Sequence, residues 1–233
     1  EKVEVQNKLN QLNMLTVRPV IIDAEIVKIL ISTIFKYNKN DTTLSKGELE
    51  QLVRTGIVNF DNTNLNNFDS TFRHSNLVKA IDEINDSILS NITNIRLKKK
   101  KDVKLNFSEG LVINFGNSFY HPHDGHNKMS GGILVSTGFK VDGDSVNTYF
   151  FDDDGSGNIR RYSLASGQRV IADSSAGTID YASGKVSIDA IKFTSTVNSD
   201  TSIDFTVIPA SDDVVAIRGS LIDISVDDIK VSG

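Results

Sequence analysis

The sequence predicts an α+β protein: a small α/β layer of strand, two helices and strand over residues 1–104, then a β-rich domain of about nine strands over residues 105–233. Three observations carry this. Thr16–Tyr37 is the longest dense apolar run, rich in β-branched Val and Ile. Two segments behind it carry apolar stripes at helical spacing. From Leu105 onward the chain turns to Val, Ile, Ser, Thr, Asp and Gly with frequent turn signals and no helical stripe.

Residues 1–15 read as an amphipathic helix, with Val5, Leu9 and Leu12 at i, i+4 and i+7. The apolar run then reads as one long strand, because branching at Cβ restricts helical rotamers but packs well on a pleated surface. With period two, Val27, Ile29, Ile31 and Phe35 share a fully buried face. Ile26, Leu30 and Ile34 alternate with Lys28 and Lys36 on a partly covered one. Asp23, Glu25 and Lys28 leave an uncharged remainder far shorter than the roughly 20 residues of a membrane helix, so no span is expected. Ser45 and Glu48 form a capping-box pattern ahead of Leu49, Leu52, Val53 and Ile57. Gly56 inside that helix implies close packing or an early end. The Asn-rich stretch 60–77 reads as an ordered loop pinned by Phe60, Phe68 and Phe72. Ser75 then caps a helix whose stripe is Leu77, Ile81, Ile84 and Ile88. Ile92, Ile95 and Leu97 form a strand that runs into Lys98–Lys101.

In the second domain, strands are expected at 105–107, 111–115, 133–141, 146–151, 159–164, 185–193, 203–208, 214–217 and 221–226. Hairpin turns are expected at DDDGSGN and DYASGK, where Gly supplies positive φ.

Composition narrows the chemistry. With no Cys there are no disulfides, thiolate zinc sites or cysteine nucleophiles, and four His with the carboxylates are the remaining ligands. No charged and apolar leader precedes the pattern, so no secretory signal is expected. Split after Lys104, the first part has 16 Lys+Arg against 13 Asp+Glu and the second 9 against 17. That asymmetry fits complementary protein surfaces better than a nucleic-acid-binding half, which is more basic than this.

Two motifs look chemical. HPHDGH places His121, His123 and His126 within six residues, near the H-x-H-x-D-H pattern of the metallo-β-lactamase fold. The family's Asp position is Gly125, and no His follows His126 to complete a site. A polar loop is the first reading. DDDGSGN resembles an EF-hand start, with Asp152, Asp154 and Ser156 at positions one, three and five, but position twelve is Ser163 instead of a bidentate Glu. A plain hairpin turn is preferred. The Lys98–Lys101 run is expected to be a solvated face that blunts a sheet edge. Neither a phosphate loop, a nucleophile elbow nor HExxH occurs, so no catalytic residue, metal or cofactor is expected.

Several segments in combination resemble one family. VRPVIIDAEI, GELEQLVRTGI, FDSTFRHSNLVKAIDEI (with Phe68, Phe72, Ser75, Leu77 and Ile81) and ITNIRLKKK are similar to the baseplate J-like wedge proteins of T-even-like contractile-tailed phages, in their C-terminal part. YFFDDDGSGNIRRY and IDYASGKVSI extend the resemblance over most of the chain. It implies a structural, non-enzymatic virion protein of the tail baseplate, assembled in the host cytoplasm. It also implies dimers that join wedges into a ring around the central hub, and contacts with other wedge subunits, including the lysozyme-like sheath-initiating protein. For the self-contact, Phe119 and Tyr120 beside HPHDGH are the candidate interface residues, since loops held on rigid scaffolds are where recognition lives. The alternative is a metal- or carbohydrate-binding β domain on an α/β carrier.

Overall fold

Alternation of side chains organises the first hundred residues. The structure is a computed structural model that describes residues 2–12, 19–21, 24–65, 67–68, 70–126, 132–217 and 219–233. Helix α1 (Lys2–Gln11) is followed by strand β1 (Glu25–Tyr37). Val27, Ile29, Ile31, Thr33 and Phe35 of β1 are buried, and Ile26 and Ile34 are exposed on the opposite face, as period two predicts. The strand is shorter than its apolar run. Residues 13–18 and 22–23 lie outside the described residues, and the backbone at 19–21 is claimed by a side chain instead of a neighbouring strand. Gln6 Nε2 donates to Pro19 O at 2.7 Å, and Ile21 N donates to Gln6 Oε1 at 2.8 Å. No residue of α1 is buried.

Helix α2 (Lys46–Asn64) starts at the expected capping box: Ser45 N donates to Glu48 Oε2 at 2.7 Å and Glu48 N to Ser45 Oγ at 3.4 Å. It continues through Phe60–Asn64, where a loop was expected. Thr63 Oγ1 and Asn64 Nδ2 each bond the carbonyl four residues back, at 2.8 Å, so these polar side chains support the helix. Gly56 is a packing requirement, since a Cβ there would sit 2.4 Å from Ile84 Cδ1. Phe60 meets Phe72 edge-on at 6.3 Å, whereas Phe68 is exposed, so two of the three rings are pinned. After β2 (Thr71–Phe72) comes α3 (His74–Asp82). Its N-cap is Arg73 and not Ser75, because a distant carboxylate does the capping: His74 N donates to Asp213 Oδ1 at 2.9 Å. The helix ends before Ile84, and Ile88 opens the next strand, β3 (Ile88–Asp102).

The remaining strands are β4 (Ser108–Asn114), β5 (Leu134–Ser136), β6 (Phe139–Val141), β7 (Asp144–Asp153), β8 (Asn158–Ala165), β9 (Gln168–Asp180), β10 (Lys185–Thr196), β11 (Ser202–Val207), β12 (Val214–Val215), β13 (Ser220–Ile224) and β14 (Lys230–Ser232). That is 11 strands among the described residues where about nine were expected. Leu105–Phe107 is a turn, with Asn106 at φ 61°, and the stretch 133–141 holds two short strands. Strands β9 and β14 carry little apolar alternation and were invisible to it.

One sheet threads the whole molecule in the order β13-β1-β3-β11-β5-β7-β6-β10-β9-β8. Strand β3 runs antiparallel to β1 with Ile29 opposite Leu97 and Ile34 opposite Ile92. Strands β13 and β14 add in parallel to the other edge of β1, and β11 pairs antiparallel with β3. Helices α2 and α3 pack on each other, and α3 on β3. Their Leu49, Val53, Ile57, Leu77 and Ile81 join the buried residues of β1 in one core. Because β8 also pairs with β7, the strands β7-β6-β10-β9-β8 close into a ring, giving the sheet a barrel-like end. Phe139 packs there against Phe151, tilted at 4.5 Å, and against Phe193, edge-on at 5.2 Å.

Candidate functional site

The two motifs that looked chemical in sequence touch each other in space. Gly155, at φ 76° in the turn between β7 and β8, receives Gly125 N at 2.7 Å and His121 Nε2 at 2.9 Å on its carbonyl. A Cβ at Gly155 would fall 1.8 Å from His126 O, so only glycine permits this approach. The HPHDGH loop is thereby seated on the DDDGSGN hairpin.

Three consecutive aspartates of that hairpin go to three different places. Asp152 is fully buried and accepts Arg160 Nε and Nη2 at 2.9 Å each, with Arg169 Nη1 at 2.6 Å. Burial pushes its carboxyl up against the pull of the two guanidiniums. Asp153, buried on the other side of the strand, accepts Leu134 N at 2.8 Å, Gly155 N at 3.2 Å and Tyr181 Oη at 2.8 Å. Burial, and then that hydrogen bond, raise the Tyr181 phenol far above its usual range. Asp154 bends back on its own turn, accepting Ser156 N at 2.7 Å and Asn158 N at 3.0 Å. Although burial pulls the other way, hydrogen bonds led by that from Asn158 Nδ2 hold Asp154 low. Asp152 and Asp154 are therefore not brought together as the EF-hand pattern would need, and Ser156 reaches Asp154 through its backbone N–H.

The histidines also part company. The ring of His121 stacks on Tyr181 at 3.9 Å, while His123 and His126 face each other with Nε2 and Nδ1 3.4 Å apart. Among the described residues no group of three or more His, Cys, Asp or Glu stands close enough to hold a metal ion. Tyr120 meets His126 edge-on at 5.4 Å and is exposed. Phe119, the other interface candidate, is only 2% exposed and packs against Phe115 at 5.3 Å, so its ring is a core anchor.

The lysine run departs from the solvated face expected of it. Strand β11 covers one edge of β3 along Leu97–Asp102, and alternation sends the lysines to opposite sides. Lys99 is buried, bonded to Glu25 and, at 2.6 Å, to Asn114 O. Lys98 pairs with Asp228 and Lys100 with Asp200. These residues border an open cleft of about 850 Å³ between the start of β1 and β4, lined by Ile26, Lys101, Val112 and Asp204 among others.

One electrostatic node had no signal in the sequence. Asp61, the last buried residue of α2, accepts Ile224 N at 3.1 Å on the free edge of β13. Burial pushes its carboxyl up to about 6, and neighbouring Asp223 adds to the rise. Asp223 is in turn 3.9 Å from Lys28. Nearby, Arg54 of α2 donates to Ile229 O at 2.7 Å, and both contacts fasten the C-terminal strands to the helix. Partners about 165 residues apart cannot be read from local pattern.

The segment held by these contacts also resembles a known family. Residues 26–100, from β1 through α2, β2 and α3 to the lysines of β3, match the family model of the baseplate structural protein gp6, C-terminal domain III. No curated protein matches the chain. The family is defined by a structural protein of the viral tail baseplate. Residues 26–100 are therefore similar to C-terminal domain III of the gp6 baseplate structural protein, and this similarity points to the virion tail baseplate.

Proposed function

We propose that this chain acts by assembly alone: it dimerises, joins neighbouring baseplate wedges into a ring around the central hub, and performs no catalysis. The observation that carries the reading is the domain III match over residues 26–100. The bonding of the second half supports it, since the carboxylates of Asp152 and Asp153 are saturated by protein donors and serve to hold strands together. Residues 1–104 and 105–233 are read as two units that share one sheet. The partners are other wedge subunits, including the lysozyme-like sheath-initiating protein, besides a second copy of the chain.

For the self-contact, the burial of Phe119 moves attention from that loop to the β8–β9 hairpin. Beyond the closed ring, β9 has β8 on one side and no strand on the other over residues 168–176, among the described residues. Leu164, Val170 and Ile171 are exposed on this arm. Strand β7 backs β8 as far as Ser163, so the unpaired edge belongs to β9, and such an edge is a template for another chain. Sedimentation equilibrium tests the reading. Self-association in the micromolar range, weakened at least tenfold by Ile171→Asp and untouched by EDTA, is expected. A chain that stays monomeric into the hundreds of micromolar refutes the dimer.

A further inference from the structure

The outward face of β1 and β3 is bare where β14 joins them. No helix covers it. Ile34 and Ile92 sit directly opposite each other across the strands, 56% and 66% exposed. Such a pair puts its side chains about 5 Å apart and forms one apolar surface. Leu30, half-buried and opposite Arg96, lies on the same face with Ser32 between it and Ile34.

The charges around this patch differ from those on the rest of the same face. Toward the start of β1, Lys28 pairs with Asp223, Lys98 with Asp228 and Lys100 with Asp200. At the Ile34–Ile92 end stand Lys36, Arg96 and Lys230, the last opposite Ser32 in the parallel register. Among the described residues none of these three is in an ion pair. The region thus combines an apolar centre with a rim of one sign, and its remaining polar positions, Ser32, Ser90, Asn94 and Ser232, are neutral.

We propose that this face docks an apolar segment bearing Asp or Glu from a different baseplate component. Charge decides against a second copy. A two-fold contact would set the same patch against itself and bring Lys36, Arg96 and Lys230 onto their own equivalents. An acidic partner supplies the missing counter-charges while covering Ile34 and Ile92. The proposal rests on the baseplate reading and names one surface within it.

The test places p-benzoyl-L-phenylalanine at position 92 and irradiates assembled baseplates that contain the chain. Crosslinks to a carboxylate-rich apolar segment of another chain are expected. Crosslinks to a second copy, or none at all in baseplates that contain the chain, overturn the proposal. Separately, Lys36→Glu with Arg96→Glu lowers incorporation at least tenfold at an unchanged melting temperature, while Lys36→Arg with Arg96→Lys retains it; unchanged incorporation of the Glu pair overturns the proposal. A wild-type chain absent from purified baseplates overturns the baseplate reading itself, and this surface with it.

Discussion

The two faces of the β1–β3 sheet are built from the same two strands and have opposite fates. The inward face carries Val27, Ile29, Ile31, Phe35, Ile95 and Leu97, which share a core with α2 and α3. The outward face carries Ile34 and Ile92 in direct register and leaves them in solvent. Branched apolar residues are thus no guide to burial here, because both faces have them. What differs is whether an element of this chain is available to cover them. The inward face builds the fold, and the outward face keeps its apolar pair in solvent.

That contrast can be broken at several points. The largest effect is expected inside. Phe35→Ala removes a ring from a fully buried position and should lower unfolding free energy by about 3–5 kcal/mol in urea titration. A loss below about 1 kcal/mol would mean that the inward face is not the core. Next comes the lysine run, where the same residue type lies on both faces. Lys99→Ala leaves a buried hydrogen-bonded site open and should remove about 2 kcal/mol. The exposed ion pair of Lys100 predicts a change within about 0.5 kcal/mol for Lys100→Ala. Equal effects would mean that the run does not alternate.

The pH dependence sharpens the comparison further. Asp61 binds a proton more tightly folded than unfolded, so between pH of about 4 and about 6 the native state holds more protons. Its contribution to stability therefore falls as pH rises through that window. An Asn at this position keeps an acceptor for Ile224 N and stays neutral. Asp61→Asn is expected to stabilise the chain by about 1 kcal/mol at pH 7, and the gain should vanish near pH 4. A destabilised variant at pH 7 would mean that the ionised carboxylate favours the fold. The smallest effect is outside. Ile92→Ser should shift the melting midpoint by no more than about 0.5 kcal/mol of stability, the scale of ordinary surface changes.

Local order was legible where a physical rule acts over a few residues. Alternation in β1, the Ser45–Glu48 capping box and the hairpin turns at Gly155 and Gly184 all follow from near neighbours, whereas the choice at Gly56 between close packing and an early helix end was made by Ile84 of another segment. The limits of α3 and β9 were not legible. Helix α3 is capped by Asp213 from 139 positions away. Strand β9 is held by pairing with β8, and its exposed residues Gln168–Ala172 carry no buried stripe.

The same division governs the candidate site. By itself the sequence determined that HPHDGH and DDDGSGN are incomplete as metal motifs, since a missing ligand type is a matter of composition. It also determined the order of β1, α2, α3 and β3, whose strand and helix patterns are local. Only the tertiary structure decided that the two motifs meet at Gly155, that Asp152, Asp153 and Asp154 serve three separate sets of donors, and that Phe119 lies inside while Ile92 lies outside. Those outcomes depend on which strands become neighbours, and strand pairing joins residues that local periodicity cannot connect.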